Sequence, residues 1–296
     1  MRDIEIAVGG ASETGGRETN EDAYVVRPLP GGGDAMNGGY LIAVADGMGG
    51  YQGGAVASRT AIDLLEDLFA RETPRDIAAA LKQAFRRANE VIYQRSQEDG
   101  GNGPMGTTLV AAVIQDKYAT VANVGDSRAY LIRANQVTQV TQDHSLVAEQ
   151  VTQGALSEDD ARRSPQRNIL TQALGHREQL DRKMPGIFEI TLLPEDRLLL
   201  CSDGFYDVLQ PDDYLRELAS TDAVSAASAL ARLAVERGTS DNVTAVVAAV
   251  MPSQATVQRE VIAADIASRR PSPIVPILVS LLILIIAVFA VVFFLL

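Results

Sequence analysis

Acidic residues far apart along this chain share surroundings that suit metal-assisted chemistry. Glu21 and Asp22 close the segment Arg17-Glu18-Thr19-Asn20-Glu21-Asp22, and Asp46 opens Asp46-Gly47-Met48-Gly49-Gly50. Asp126 lies in Gly125-Asp126-Ser127-Arg128, Asp203 follows the apolar run 198–201 with Asp207 four residues on, and Asp241-Asn242 precedes the apolar run 243–250. Each alone reads as a turn or a cap. Together they form a pattern. Strand-like runs at 40–45, 119–124 and 197–201 each reach an aspartate within a residue or two, and the last strand begins just after one. Like charges gathered at one end of a sheet repel unless a cation neutralises them. An all-oxygen donor set selects Mg²⁺ or Mn²⁺. Two such ions about 3.5–4 Å apart can share a water and make it a nucleophile near neutral pH. Arg17 adds a planar fork suited to two oxygens of a phosphate. Metals, aspartates and an arginine fit the hydrolysis of phosphate esters.

Composition removes the competing chemistries. The chain has 296 residues, a net charge of −12, one cysteine and two histidines. The acidic balance argues against a nucleic-acid partner, which would require a basic face. A single thiol, Cys201, excludes an internal disulfide and a thiolate zinc cluster. His144 and His176 are too few for a histidine-rich centre. The glycines after Asp46 lack the Lys and Ser/Thr of a phosphate-binding P-loop.

The elements that must position these residues come in blocks. Strand-like runs lie at 5–7, 40–45, 108–114, 119–124, 129–132, 188–192, 197–201 and 243–250. Helical periods lie at 54–69, 76–97, 146–153, 211–218 and 223–237. Blocks of strands and helix pairs, without strict alternation, favour an α+β layered domain. The short loop between the strands around Val121 and Tyr130 predicts that the two pair antiparallel.

Residues 274–296 carry no charge and, as a helix, would span roughly 34 Å, enough to cross a bilayer. The segment before them, Ser268-Arg269-Arg270-Pro271-Ser272-Pro273, is polar and basic, which predicts that this side stays cytoplasmic. The acidic, alternating N-terminus is not a signal peptide. The expected organisation is a catalytic domain at 1–252, a juxtamembrane linker at 253–273 and a single membrane-spanning helix at 274–296, with the catalytic domain in the cytoplasm.

In this order, the segments RETNED (17–22), DGMGG (46–50), GTT (106–108), NVGDSR (123–128), QDHS (142–145), CSDGFYD (201–207) and SDNVT (240–244) resemble the metal-dependent protein phosphatases of the 2C type, in particular bacterial members. The resemblance covers nearly all of residues 5–250. It implies a central antiparallel β-sandwich flanked by antiparallel helix pairs, with two metals at one end. Asp46 would bridge both metals and the Gly47 carbonyl would bind one. Asp203 and Asp241 would hold the second, and Glu21 and Asp22 would hold metal-bound waters. Asp126 and Asp207 match a third, weaker site, and Arg17 would bind the substrate phosphate. The implied reaction is direct attack of a metal-bridging water on phosphoserine or phosphothreonine in phosphorylated proteins, without a phosphoenzyme. One departure stands out: Met48 occupies the place of a histidine proposed as general acid in some relatives. The stretch 144–175 corresponds to a variable flap over the active site.

Two rivals are weaker. Asp143-His144-Ser145 holds the residue types of a hydrolase triad, but adjacent residues cannot converge as one, and no Gly-x-Ser-x-Gly elbow is present. A catalytically inactive, membrane-tethered phosphoprotein-binding module of the same fold would have lost metal carboxylates, yet Asp46, Asp203 and Asp241 are all in place. A phosphatase tethered beside the membrane is expected to oppose a membrane Ser/Thr kinase and its substrates.

Overall fold

Two antiparallel sheets face each other, and their side-chain alternation sorts the core into three layers. The computed structural model describes residues 4–30, 39–49, 53–98, 105–219 and 222–253. In chain order its elements are β1 (Ile4–Glu13), β2 (Asp22–Pro28), β3 (Tyr40–Met48), α1 (Gly53–Phe69), α2 (Ile77–Glu98), β4 (Gly106–Thr107), β5 (Leu109–Gln115), β6 (Tyr118–Val124), β7 (Arg128–Arg133), β8 (Gln136–Gln139), α3 (Leu146–Thr152), α4 (Glu158–Arg163), β9 (Gly186–Thr191), β10 (Arg197–Cys201), α5 (Asp203–Tyr206), α6 (Pro211–Glu217), α7 (Ala223–Glu236) and β11 (Val243–Pro252). One sheet has the order β1-β11-β10-β7-β8, and the other β2-β3-β5-β6-β9 with β4 on β3.

On β3, Leu41, Ala43 and Ala45 pack outward with α1 and α2 residues such as Ile62, Leu65, Leu81 and Phe85. Ile42 and Val44 face inward, against Leu198 and Leu200 of β10 and Val246, Ala248 and Val250 of β11. The opposite faces of β10 and β11 bury Leu199, Cys201, Val247 and Ala249 with Leu230 and Ala231 of α7. Helices therefore cover both outer faces, as the resemblance implies. Cys201 is a buried strand residue, and burial pushes its thiol up out of reach of ionisation.

The inward row ends in oxygen. Counting by twos along each strand, Ile42 and Val44 lead to Asp46, Leu198 and Leu200 to Ser202, Val246 to Thr244, Val110 to Thr108, and Ile6 and Val8 to Ser12. The same parity brings Asp22 inward from β2, directly opposite Asp46 in the β2–β3 register. A continuous apolar layer thus gives way to a polar pit at one end of the sandwich.

The expected pairing of the strands around Val121 and Tyr130 is not made. β6 pairs with β5 and β9, whereas β7 pairs with β10 and β8 in the other sheet. The three-residue link crosses between layers, and Gly125 makes this possible with φ of +99°, a region that disfavours side chains. Short loops join adjacent strands of one sheet or step between stacked sheets, and loop length alone does not separate the two.

Among the described residues no helix is long and apolar enough to cross a membrane. The expected span at 274–296 and, apart from Ser253, its linker at 253–273 lie outside the described residues, as does the glycine run 31–33. The chain divides into two units after Pro252.

Candidate active site

The polar pit is built around Asp46 and Asp22. The Asp46 amide donates to Thr108 Oγ1 at 3.0 Å, its carbonyl accepts from Thr107 Oγ1 at 2.8 Å, and Thr108 Oγ1 bonds Ser127 Oγ at 2.6 Å. Asp46 is thereby tied to the Asp126 loop of the facing sheet. Asp22 Oδ2 accepts from Ser202 Oγ at 2.8 Å and Thr244 Oγ1 at 2.7 Å. Behind these, Asn20 Nδ2 donates to Ser12 Oγ at 2.8 Å, and Ser12 bonds Thr244 at 2.7 Å. This chain of hydroxyls fixes one Asp22 oxygen. The other, Oδ1, is buried without a partner, and so is Asp203 Oδ1.

The Asp241 side lies just before β11. Asp241 Oδ1 accepts from the Asn242 amide at 2.8 Å and Oδ2 from Arg17 Nη2 at 2.6 Å. Asn242 Oδ1 receives the Glu21 amide at 2.9 Å, while its Nδ2 donates to the carbonyls of Thr14 and Thr19 at 2.8 and 2.9 Å. One asparagine thus ties the RETNED segment to the start of β11. Arg17 is 55% exposed and stands at the rim. Glu21 Oε2 and the Gly47 carbonyl oxygen lie 2.6 and 2.8 Å from one point, the place a Cβ on Gly54 would occupy. Two oxygen donors therefore converge beside Asp46.

The electrostatics bind these groups into one cluster. Burial first, then Asp22, Asp203, Asp126 and Asp241, hold the Asp46 carboxyl well above the ordinary range. Burial, then Asp203 and Asp241, push Asp22 up to about 7 against the pull of the Thr244 and Ser202 hydroxyls. Asp203 is raised to about 6 by burial, Asp241 and Asp207. Asp126 is raised by burial and Asp203, eased by Arg128. Carboxylates gathered in this way repel one another unless a proton or a cation offsets their charge. The structure thus gathers Asp22, Asp46, Asp126, Asp203 and Asp241, with Glu21 and Gly47 beside them. Asp207 caps the end of α5 and is drawn outward to Arg167 Nη2 at 3.4 Å.

The donor set fits hard divalent ions. It is all oxygen, it is acidic beyond what its surroundings neutralise, and it leaves two buried carboxylate oxygens without hydrogen bonds. Among the described residues no three His, Cys, Asp or Glu side chains close on a single metal-sized point. Arg17 Nη2 instead donates to Asp241.

A pH dependence follows for the cation-free protein. A carboxyl whose folded pKa is raised contributes stability below its unfolded value near 3.9, and this is lost as pH rises through the folded value. With Asp22 at about 7 and Asp203 at about 6, chelator-treated protein is expected to melt lower at pH 8 than at pH 5.5. Added Mn²⁺ should raise the melting temperature more at pH 8. Calorimetric scans at both pH values check it, and a chelated protein more stable at pH 8 would contradict the clustering of these charges.

The triad rival dissolves in the same region. Asp143 grips Arg128, His144 Nδ1 accepts the Gly125 amide at 3.1 Å, and Ser145 Oγ caps α3 by accepting the Ala148 amide at 3.3 Å. Each side chain has a different partner and none serves another.

Comparison with known proteins matches this architecture. The family model described as Protein phosphatase 2C matches residues 6–150. The serine/threonine phosphatase stp of Listeria monocytogenes serotype 4b (strain F2365) is 38% identical over 182 residues, covering 60% of this chain and 71% of that protein. The protein phosphatase PhpP of Streptococcus pneumoniae serotype 2 (strain D39) is 34% identical over 239 residues, or 79% of this chain and 93% of its own length. The chain belongs to the protein phosphatase 2C family. Within it, this chain is a phosphatase of the bacterial serine/threonine type. Its fold matches the crystal structure of the Mycobacterium tuberculosis phosphatase PstP/Ppp with a TM-score of 0.74 and 32% identity, over 84% of this chain and all of that one. A structure of the PstP catalytic domain in complex with two manganese ions matches with a TM-score of 0.72 and 32% identity, over 84% of this chain and 99% of that one. The seven segments that carry the sequence resemblance therefore lie on the fold of this 2C phosphatase family.

The hydroxyl and amide scaffold has no counterpart in the sequence reading. Taken singly, Ser12, Asn20, Thr108, Ser202, Asn242 and Thr244 carry no signal of this role, although all but Ser12 lie inside the segments that carry the family resemblance. Parity counting from the apolar strand positions would have placed Ser12, Thr108, Ser202 and Thr244 beside the aspartates.

Proposed function

We propose that this chain hydrolyses phosphoserine and phosphothreonine in proteins by direct attack of water, using two Mn²⁺ or Mg²⁺ ions, at the cytoplasmic face of a membrane. The reading rests on the carboxylates drawn from both sheets to one pit, with two buried oxygens left unpaired. Asp46, Asp203, Asp241 and the Gly47 carbonyl would hold the ions, Glu21 and Asp22 their hydration, and Asp126 with Asp207 a third, weaker ion. Bound there, the ions would supply neutralising charge and an activated water. Arg17, exposed at the rim and swinging from Asp241, would orient the phosphate oxygens of an incoming phosphoprotein. Asn242 keeps Glu21 and the Arg17 segment in register with Asp241. Met48 has no proton to give, so the leaving serine oxygen draws its proton from elsewhere.

Tethering rests on the uncharged segment 274–296 and the arginine pair before it. A phosphatase so held would act against membrane Ser/Thr kinases and their substrates.

One assay tests the chemistry: phosphopeptide and aryl phosphate hydrolysis with Mn²⁺, with Mg²⁺ and with chelator. Turnover is expected with the ions and loss to background with chelator. A folded protein silent with every divalent ion would sink the reading. For tethering, the full chain should sediment with membranes and a 1–252 fragment should not. Equal partitioning would remove the membrane from the account.

A further inference from the structure

The Arg128 side chain makes an unusual set of contacts for a residue outside the carboxylate cluster. It lies at the start of β7, two residues after Asp126. Its Nε donates to both Asp143 oxygens, at 3.1 and 3.0 Å, and its Nη2 to Asp143 Oδ2 at 2.6 Å. Nη1 donates to the Tyr130 hydroxyl at 2.9 Å. The guanidinium carbon, Cζ, sits over the Tyr206 ring, 3.5 Å from its centre. The Tyr206 hydroxyl in turn donates to the Asp126 carbonyl at 3.1 Å.

These contacts meet a mechanical need. Helix α5 is only four residues long, and its ends carry Asp203 and Asp207. A single turn closed by the Asp207 amide on the Asp203 carbonyl at 3.0 Å is too short to hold its own orientation. The Asp126 link is a three-residue step between sheets and equally cannot stiffen itself. Phe205, fully buried, anchors one side of α5 in the outer core. The opposite side faces a cavity of about 760 Å³, lined by Asp126, Arg128, Asp203, Tyr206 and Asp207 together with residues of α3 and α4. On that side the Arg128 guanidinium over the Tyr206 ring and the Tyr206 hydroxyl tie α5 to the Asp126 link.

We propose that Arg128 is a positioning residue of the active site: through Tyr206 it fixes the Asp126 link and helix α5 against each other, and so sets the spacing of Asp126, Asp203 and Asp207. Asp143, itself steadied by Gln139 Nε2 at 2.9 Å, holds the guanidinium in the stacked plane. A lysine would keep the charge but has no planar fork to lie flat on the ring and meet both Asp143 oxygens in one plane. The proposal rests on the cation-dependent reading above, and its test reads cation binding separately from turnover.

The experiment compares the full chain with Tyr206→Phe, Arg128→Lys and Arg128→Ala. It measures Mn²⁺ binding to chelator-stripped protein by titration calorimetry, kcat and KM on a phosphopeptide, and the melting temperature. Tyr206→Phe keeps the ring and loses only the tether to Asp126. It should weaken Mn²⁺ binding on the order of tenfold, with kcat falling and KM little changed, at a nearly native melting temperature. Arg128→Lys should recover most of the melting temperature lost in Arg128→Ala without recovering Mn²⁺ affinity or kcat. Native Mn²⁺ binding and kcat in both Tyr206→Phe and Arg128→Lys would overturn the proposal and leave Arg128 a purely structural ion pair. A native protein that binds Mn²⁺ but hydrolyses nothing would instead overturn the phosphatase reading, while the binding titrations would still decide the role of Arg128.

Discussion

Asp46→Asn is expected to remove turnover by about 10³-fold or more while making the cation-free fold more stable. The two effects have one origin. Asp46 is repelled by Asp22, Asp203, Asp126 and Asp241, and its burial adds to the cost of its charge. An amide of the same shape removes the charge and keeps the backbone anchors from Thr107 and Thr108. The folded state therefore sheds a penalty, and the divalent ions lose the donor at the centre of the cluster. The melting temperature in chelator should rise by a few degrees, since about 1 kcal/mol shifts a domain of this size by roughly 2–4 °C. Stabilisation by Mn²⁺ should largely vanish. A variant that hydrolyses phosphopeptide at a rate near native would refute the placement of Asp46 at the centre.

The second large effect is expected at Gly47. A methyl group there would lie 2.2 Å from the Gly54 carbonyl oxygen, 2.4 Å from its carbon and 2.6 Å from the Glu21 carbonyl oxygen. All three are backbone atoms, so no side chain can swing aside. Gly54 belongs to the first turn of α1, whose buried face packs through Ala57, Ala61, Ile62 and Leu65. Glu21 is held by Asn242 and Ser58. Neither neighbour can retreat without breaking these bonds. Gly47→Ala is expected to cost about 3 kcal/mol or more, at the upper end of overpacking changes. Denaturant titration should show it as a lower midpoint at unchanged slope. The surviving folded protein should bind Mn²⁺ poorly, because the Gly47 carbonyl and Glu21 are the atoms displaced. Stability and binding within error of the native protein would show that the junction of β3, α1 and the RETNED segment is looser than it stands.

Much of this centre is legible in the sequence because its parts are punctuated. Asp46, Asp203 and Asp241 sit where an apolar strand ends or begins, and the glycines beside them mark close backbone approach. What was not legible depends on pairing across the chain. β2 begins inside a segment that by itself reads as a polar turn, and becomes a strand because β3 lies alongside it. β1 reads as three residues but extends over ten, since its Gly9-Gly10-Ala11 stretch takes its conformation from β11. The edge strand β8 and the four-residue α5 are too short for any period to show. The crossing from β6 to β7 is decided by which sheet receives the strand, a fact of layering that neighbouring residues do not encode. Arg128 reads as one letter of a motif. Its contacts with Asp143 and Tyr206 appear only when three separate segments are brought together.

The pairing of β1 with β11 joins the first described strand to the last, in a register running from Ile4 opposite Pro252 to Glu13 opposite Val243. Asp22 and Asp46 leave the ribosome early, whereas Asp203 and Asp241 emerge near the end of this unit. Synthesis proceeds from the N-terminus, so an unfinished polypeptide holds only part of the donor set and an open sheet edge waiting for its mate. Such a nascent chain is expected to stay catalytically silent until the final strand docks.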